Sequence, residues 1–277
     1  MNTGALRIRD LGELTGPVLV FGGPYSNLQA SQALLALARA QAIPPERRIC
    51  TGDVIAYCAN PRETLALWQD NAQIVAGNCE RQLAAGALDC GCGFEAGTAC
   101  DVLSRGWFPF ASGSVTDADR AFMAGLPDIL TFRAFGRRYA VIHGGATDIA
   151  RYLWSQSDDA DFRAEIAAIT ALVGPVDGVF AGHCGIAFKK RIDGRDWINS
   201  GAIGMPAHDG QRQTQYAILG PGGIAFARLD YDAARASQAM VSAGLDQGYH
   251  HALLSGYWPS EDVLPPSMRR QPSRASG

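Results

Sequence analysis

Four short fragments carry side chains able to do chemistry: Gly52-Asp53, Gly77-Asn78-Cys79-Glu80, His143-Gly144-Gly145 and Gly182-His183-Cys184-Gly185. Each follows an apolar run, the first of them Ile49-Cys50-Thr51. A strand that stops at such a step and opens into a loop delivers a polar group to the carboxyl end of a sheet, the rim where α/β proteins carry out their reactions. One Gly-Asp dipeptide is ordinary turn punctuation. Four strand-end fragments in one chain offer a carboxylate, an amide and two imidazoles, and that recurrence is what asks for an explanation.

The intervening sequence supplies the elements that would hold them. A strand over 17–21 ends in Gly22-Gly23, and a helix over 27–42 follows, with Leu28, Leu34, Leu35 and Leu37 at helical spacing, Ser26 or Asn27 as cap and Pro44-Pro45 as stop. The strand 48–51 leads into Asp53, and Asn60-Pro61 with Glu63 starts a helix carrying Leu65, Leu67 and Trp68. A short strand, 73–76, delivers Gly77-Asn78, with a helix from about Cys79. Residues 89–114 read as a helical insertion closed by an aromatic loop, Trp107-Phe108-Pro109-Phe110, and a helix over 117–124 completes an insertion of about 89–125. Strands 129–132 and 139–142 form a hairpin turning at Phe135-Gly136 and leading into His143. Helices are predicted over 147–155 and 159–172, then a buried strand, 176–181, leads into His183. The remainder turns mostly to strands, 186–191, 197–200, 214–219 and 224–229, with Asp193-Gly194 and Gly220-Pro221-Gly222-Gly223 as hairpin turns. A helix over 232–243 and a Pro-rich tail from Pro259, frayed at its end, make up the C-terminal segment, about 231–277. No repeat or linker divides the 277 residues, so one domain is expected.

Composition narrows the function classes. Apolar residues make up 47% and charged residues 18%, which permits a substantial core and opposes global disorder. A net charge of −3 without a run of Lys or Arg disfavours non-specific nucleic-acid or membrane-surface binding. The start of the chain lacks a signal-peptide pattern, and no apolar run approaches the roughly 20 residues of a spanning helix, so a soluble cytoplasmic protein is expected. Seven cysteines are too sparse for a disulfide scaffold and odd in number, which fits a reducing compartment. Cys90-Gly91-Cys92 with Cys100 lacks the paired Cys-x-x-Cys spacing of a structural zinc site and reads as buried free thiols.

Taken in order, the fragments resemble the calcineurin-like metallophosphoesterases, particularly the small bacterial phosphodiesterase-type members, over a stretch from Val18 to about Leu229. That family's pattern is Asp-x-His, Gly-Asp, Gly-Asn-His-Asp/Glu, a lone His, then Gly-His-x-His. The resemblance implies a four-layer αββα sandwich of two mixed β-sheets flanked by helices. It also implies two metal ions roughly 3.5–4 Å apart that clamp a phosphate and ionise a water. Asn199-Ser200-Gly201 resembles the turn that follows the last motif.

The departures fall on one side. In the register that places Gly22-Gly23-Pro24-Tyr25-Ser26-Asn27 at the first motif, Gly23 stands for the expected Asp and Tyr25 for the expected His; in the last motif Gly185 stands for the second His. By the resemblance, all three missing groups serve one metal position. Asp53, Asn78, His143 and His183, which serve the other, remain. The implied site therefore holds one divalent transition metal, Mn, Zn or Fe, with the second position empty; the alternative is a wholly empty site whose four residues hold loops together by hydrogen bonds. Cys79 replaces the family's proton-donating His and is either a thiol acid toward the leaving alkoxide or a small packed residue. Glu80 is a carboxylate supporting the site or the helix start. Tyr25 fills the vacated position, binds the substrate phosphate, or ligates iron. Asn27 caps its helix or, with Asn78, faces the phosphate. His208-Asp209 reads as a surface loop, and Cys184 points away from the metal.

The implied function is a metal-dependent phosphoesterase acting on a phosphomonoester or phosphodiester through the single retained metal position, with Asp53 and Cys79 as the catalytic residues. The alternative is a weak or inactive protein on the same fold that binds a phosphorylated ligand. A thiol-based redox role for Cys79, Cys90, Cys92 and Cys100 is a third reading. The partner is a small phosphorylated molecule, and assembly into a homo-oligomer stays open.

Overall fold

The computed structural model describes residues 6–93 and 97–270, without the side chain of Cys100. The expectations for Cys100 and for the chain after residue 270 lie outside the described residues. The strands are β1 (Ile8–Glu13), β2 (Val18–Phe21), β3 (Arg48–Cys50), β4 (Gln73–Ile74), β5 (Ile129–Ala134), β6 (Arg137–Val141), β7 (Gly178–Ala181), β8 (Phe188–Ile192), β9 (Arg195–Asn199), β10 (Thr214–Gly220) and β11 (Gly223–Leu229). The helices are α1 (Leu28–Ala40), α2 (Pro61–Gln69), α3 (Asn78–Ala85), α4 (Ala99–Ser114), α5 (Asp117–Gly125), α6 (Asp159–Val173), α7 (Ala233–Ser242) and α8 (Tyr249–Ser255). None of the described helices is long and apolar enough to cross a membrane.

Strand periodicity builds the layers. One sheet has the order β1-β5-β6-β7-β9-β8 and the other β11-β10-β2-β3-β4, and both mix parallel and antiparallel pairs. Along β2, Val18 and Val20 face Phe132, Tyr139, Val141 and Phe180 of the opposite sheet, whereas Leu19 and Phe21 face α1 and α2, where Leu34, Leu65 and Trp68 are buried. Successive side chains on a strand point to opposite faces, so an unbroken apolar run is what a strand buried on both sides requires. The outer face of the six-stranded sheet packs Val179, Ala181 and Trp197 against Phe162, Ile166 and Ile169 of α6. The result is the expected αββα sandwich of two mixed sheets.

The departures from expectation have local causes. The edge strand β1 escaped the sequence reading because it has no apolar alternation; five of its six residues are exposed, and it pairs parallel to β5. Trp107-Phe108-Pro109-Phe110 is not a loop. It lies within α4, capped by Thr98 Oγ1 accepting from Asp101 N at 3.3 Å, with Trp107 and Phe108 buried in the helix-side core. Pro109 sits deeper in α4 than a first-turn proline, a position that costs a helix one backbone bond, and packing of its aromatic neighbours offsets that loss. A further helix, α8, and the segment after it are also packed: Leu264 is buried against Trp154 and Cys184.

The helix expected over 147–155 is replaced by a loop. Glu165 of α6, fully buried, accepts from Ala146 N at 2.6 Å and Thr147 N at 3.2 Å, and Arg151 Nη1 lies 2.8 Å from its Oε1. Thr147 Oγ1 donates to the same carboxylate. The N–H groups that would open a helix are thus taken by a side chain from another element. Removing one partner of a buried ion pair costs about 3–5 kcal/mol. Glu165→Ala should therefore lose about 3 kcal/mol or more in a urea titration, and a loss under 1 kcal/mol would mean the loop is held by packing instead.

Candidate metal centre

The four strand-end fragments lie at one rim. Asp53 follows β3 and Asn78 follows β4 in the five-stranded sheet, while His143 follows β6 and His183 follows β7 in the six-stranded sheet. Asp53 and His183 hold left-handed backbone angles, φ +53° and +62°, which non-glycine residues adopt at a cost and only where the surroundings enforce it. Gly52 must be a glycine: at φ +95° a Cβ there would sit 2.6 Å from Gly77 N and 2.8 Å from His143 Nδ1.

His143 Nε2 is the centre of the cluster. It lies 3.0 Å from Asn78 Oδ1, 3.1 Å from His183 Nδ1 and 3.3 Å from Asp53 Oδ2. His143 Nδ1 is 2.7 Å from Thr51 O; a carbonyl only accepts, so Nδ1 bears the hydrogen and Nε2 keeps its lone pair in the neutral ring. Asn78 Nδ2 donates to Cys90 O at 2.8 Å and toward Cys92 Sγ at 3.2 Å, which turns Oδ1 inward. Four atoms able to offer a lone pair therefore face one another, His183 Nδ1 in the tautomer protonated at Nε2, with Asp53, Asn78 and His143 only 3%, 1% and 2% exposed.

Such a cluster needs positive charge. Burial would raise the Asp53 pKa, but the adjacent His143 outweighs it and brings the carboxyl below its ordinary value. Burial would lower His143, and Asp53 reverses that and raises it. His183 is pushed down to about 3, first by burial and then by His143, so its ring is neutral. A proton on His143 Nε2 can serve one of its three neighbours. A cation at the centre satisfies all four. Zn–N and Zn–O bonds of about 2.0–2.2 Å in a tetrahedron set ligand atoms about 3.4 Å apart, close to the separations seen. Asp53, His143 and His183 offer ligand atoms all within 4.8 Å of one another, and the donor set fits a divalent ion.

Glu80 holds the rim together. Fully buried at the third position of α3, it accepts from Asp53 N and Gly77 N at 2.8 Å each, and from Ile55 N at 3.2 Å. Burial and then the Asp53 charge push its carboxyl up to about 7, against the pull of the Gly77 and Ile55 N–H groups. Asp53 Oδ1 accepts from Cys79 N at 3.2 Å, which leaves Oδ2 for His143.

The first motif is filled rather than open. A Cβ on Gly23 would lie 2.6 Å from Tyr25 Cε2, and one on Gly185 would lie 3.5 Å from Tyr25 Oη. The Tyr25 ring thus spans the room between those two positions, packed edge-on to Tyr57 with centroids 4.9 Å apart. Burial and then the Asp53 charge push its hydroxyl pKa well up, so it is a neutral phenol. The same ring helps to wall a cavity of about 50 Å³ beside His183, with Tyr57, Tyr152, Tyr249 and Trp258.

Other expected residues lie elsewhere. Asn27 is a helix cap: its Oδ1 accepts from Ala30 N at 3.0 Å and its Nδ2 donates to Gly204 O at 3.0 Å, so both ends are engaged away from the cavity. The Cys79 thiol lies toward Cys92 and is 3.5 Å from Asn78 Nδ2; Cys79 is not among the residues lining the cavity. Cys184 Sγ donates to Leu153 O at 3.0 Å and takes no part in the cluster. His208 is no surface residue. It is buried, Trp258 N donates to its Nδ1 at 2.8 Å, and its Nε2 pairs with Glu261 at 2.8 Å. The sequence reading missed Tyr152, whose ring centroid lies 4.2 Å from that of His183, and Trp258, whose Nε1 donates to Pro206 O at 2.7 Å. A tryptophan in a Pro-rich tail was the one available signal for the latter.

Two mixed sheets between helices, with polar residues gathered on the strand ends, give the chain the fold seen in a metallophosphoesterase of known structure. A crystal structure of a metallophosphoesterase from Sphaerobacter thermophilus is 21% identical with a TM-score of 0.68, covering 88% of this chain and 100% of that one. A hypothetical protein from Pyrococcus horikoshii is 12% identical with a TM-score of 0.69, covering 89% and 99%. An uncharacterized protein of Methanocaldococcus jannaschii is 25% identical over 260 residues, 86% of this chain and 98% of the relative. No protein-family model matches the chain.

Gly77 offers a direct test of the rim. A Cβ there would overlap Asp53 Oδ1 and sit 2.6 Å from Asp53 N. Gly77→Ala should cost roughly 1–3 kcal/mol, read as a lower urea midpoint; an unchanged midpoint would mean the loops around Asp53 yield freely.

Proposed function

We propose that this chain is a metal-dependent phosphoesterase working with one ion, held by Asp53 Oδ2, Asn78 Oδ1, His143 Nε2 and His183 Nδ1. The observation that carries the reading is the convergence of four potential ligand atoms, three of them within 3.3 Å of His143 Nε2. Two imidazoles, a carboxylate and an amide oxygen suit Mn, Zn or Fe. Asp53 is the only anion among them, so a divalent ion leaves the site about +1, a field favourable to a phosphate oxyanion. When bound, such an ion polarises a phosphoryl oxygen and brings the pKa of a water down toward about 7.

The chain's own groups prepare that site. Thr51 O fixes the tautomer of His143, the Cys90 carbonyl aims Asn78, and Glu80 ties the Asp53 and Gly77 loops together. The cavity beside His183 is where a small phosphomonoester or phosphodiester group would lie, against the rings of Tyr25, Tyr152 and Trp258. The Tyr25 ring in the room of a second ion supports a one-ion site.

The same ring, with the Cys79 thiol engaged by Cys92, also favours a second reading. The departing oxygen then lacks both a second cation and a placed proton donor, as in a protein that holds a phosphorylated ligand without cleaving it. Protein purified without added metal should carry close to one divalent ion per chain by elemental analysis and hydrolyse a chromogenic phosphodiester with Mn²⁺. Asp53→Asn should lower turnover roughly a hundredfold or more. Metal-loaded protein no faster than Asp53→Asn would leave the binding reading; protein that takes up no metal would end the one-ion site.

Gly23→Asp, Tyr25→His and Gly185→His together restore the three missing groups. The combined variant should raise bound Mn²⁺ from one ion toward two, measured by equilibrium dialysis. A folded variant that still holds one would show that Tyr25 does not stand where the second ion belongs.

A further inference from the structure

The loop after α3 carries two thiols that the proposed reaction does not use. Cys90 Sγ and Cys92 Sγ lie 2.8 Å apart, both buried. A disulfide needs about 2.05 Å between sulfurs, so closure asks for a further approach of about 0.8 Å. Gly91 between them has φ +66°, and a Cβ there would meet Gln82 Cγ at 2.8 Å; glycine is what lets this turn bring the thiols together. The pair also touches the proposed metal centre. Asn78 Nδ2 donates to Cys90 O at 2.8 Å and toward Cys92 Sγ at 3.2 Å, and these contacts turn Asn78 Oδ1 to within 3.0 Å of His143 Nε2.

We propose that Cys90 and Cys92 are a redox-active dithiol whose closure to a disulfide loosens the metal centre by releasing Asn78; the coupling rests on the one-ion reading above. A small disulfide such as oxidised glutathione serves as oxidant. One cysteine thiolate attacks a sulfur of that disulfide, forming a mixed disulfide and expelling one glutathione thiolate, which takes up a proton. The second cysteine thiolate attacks the mixed disulfide, forms the Cys90–Cys92 bond and expels the other glutathione. The protein loses two electrons and two protons, which leave as two reduced glutathione molecules. Drawing the sulfurs together shifts the 90–92 backbone, and with it the carbonyl that holds the Asn78 amide. Loss of a group that orients a metal ligand costs about 10–100-fold in metal affinity. Buried thiols form little thiolate, so the exchange is slow.

The test uses the full chain. Protein incubated for hours with oxidised glutathione at mildly alkaline pH is alkylated, weighed and mapped by peptide mass spectrometry. The expected product is two hydrogens lighter and linked Cys90 to Cys92. Its Mn²⁺ dissociation constant should be about 10–100-fold above that of the reduced protein and return on treatment with dithiothreitol. Mn²⁺ is the probe because a hard ion has little affinity for thiolates. Cys90→Ser, which keeps the backbone carbonyl, should bind Mn²⁺ with an affinity that oxidised glutathione leaves unchanged. Full alkylation of both thiols, a link to Cys79 instead, or equal Mn²⁺ affinity in the two redox states would overturn the proposal. Reduced protein that binds no Mn²⁺ would remove the one-ion reading and the coupling with it, while the mapped bond still decides the dithiol.

Discussion

Crowding of buried polar atoms at the rim is the constraint on which the rest of the architecture depends. Asn78 Oδ1, His183 Nδ1 and Asp53 Oδ2 all lie within 3.3 Å of His143 Nε2. Fixed hydrogen bonds stand behind three of the four: Thr51 O behind His143, Cys90 O behind Asn78, Cys79 N behind Asp53. Backbone strain accompanies it, since Tyr25, Ser26, Asp53 and His183 all take left-handed angles. Each such residue costs on the order of 1–3 kcal/mol. Burial of large side chains such as Trp68, Trp197, Phe21 and Phe180 supplies roughly 1.5–3 kcal/mol apiece. The apolar layers are therefore what keep a crowded set of polar atoms in place.

The same logic bears on the segment around Gly23 and Tyr25, where the proposed one-ion reading has a second position empty of ligands. Three truncations to glycine would leave a void, and voids in a close-packed interior are costly. The Tyr25 ring fills the room between Gly23 and Gly185 and joins a continuous set of rings through Tyr57 to Trp107 and Tyr249.

Strand-end fragments were legible because the last residues of β3, β6 and β7 are buried and apolar and give way abruptly to polar loops. The order of the elements followed from the same contrast. Information lying in tertiary hydrogen bonds was not legible. Residues 147–155 have a helical composition, and only the position of Glu165 reveals why they form a loop. The edge strand β1 has an exposed sequence whose pairing is decided by β5. The wall made by Trp258 and Tyr152, and the proximity of Cys90 and Cys92 to Asn78, depend on how loops fold back, which no periodicity records.

The donor set also has a mechanical consequence. Asp53 and Asn78 belong to one sheet, His143 and His183 to the other, so an ion at their focus would act as a clasp between layers as well as a reagent. Such a clasp ties chain segments far apart in sequence and closes only after the two sheets have docked. A chelator would then accelerate the parting of the sandwich itself, linking the lifetime of the folded state to the supply of metal.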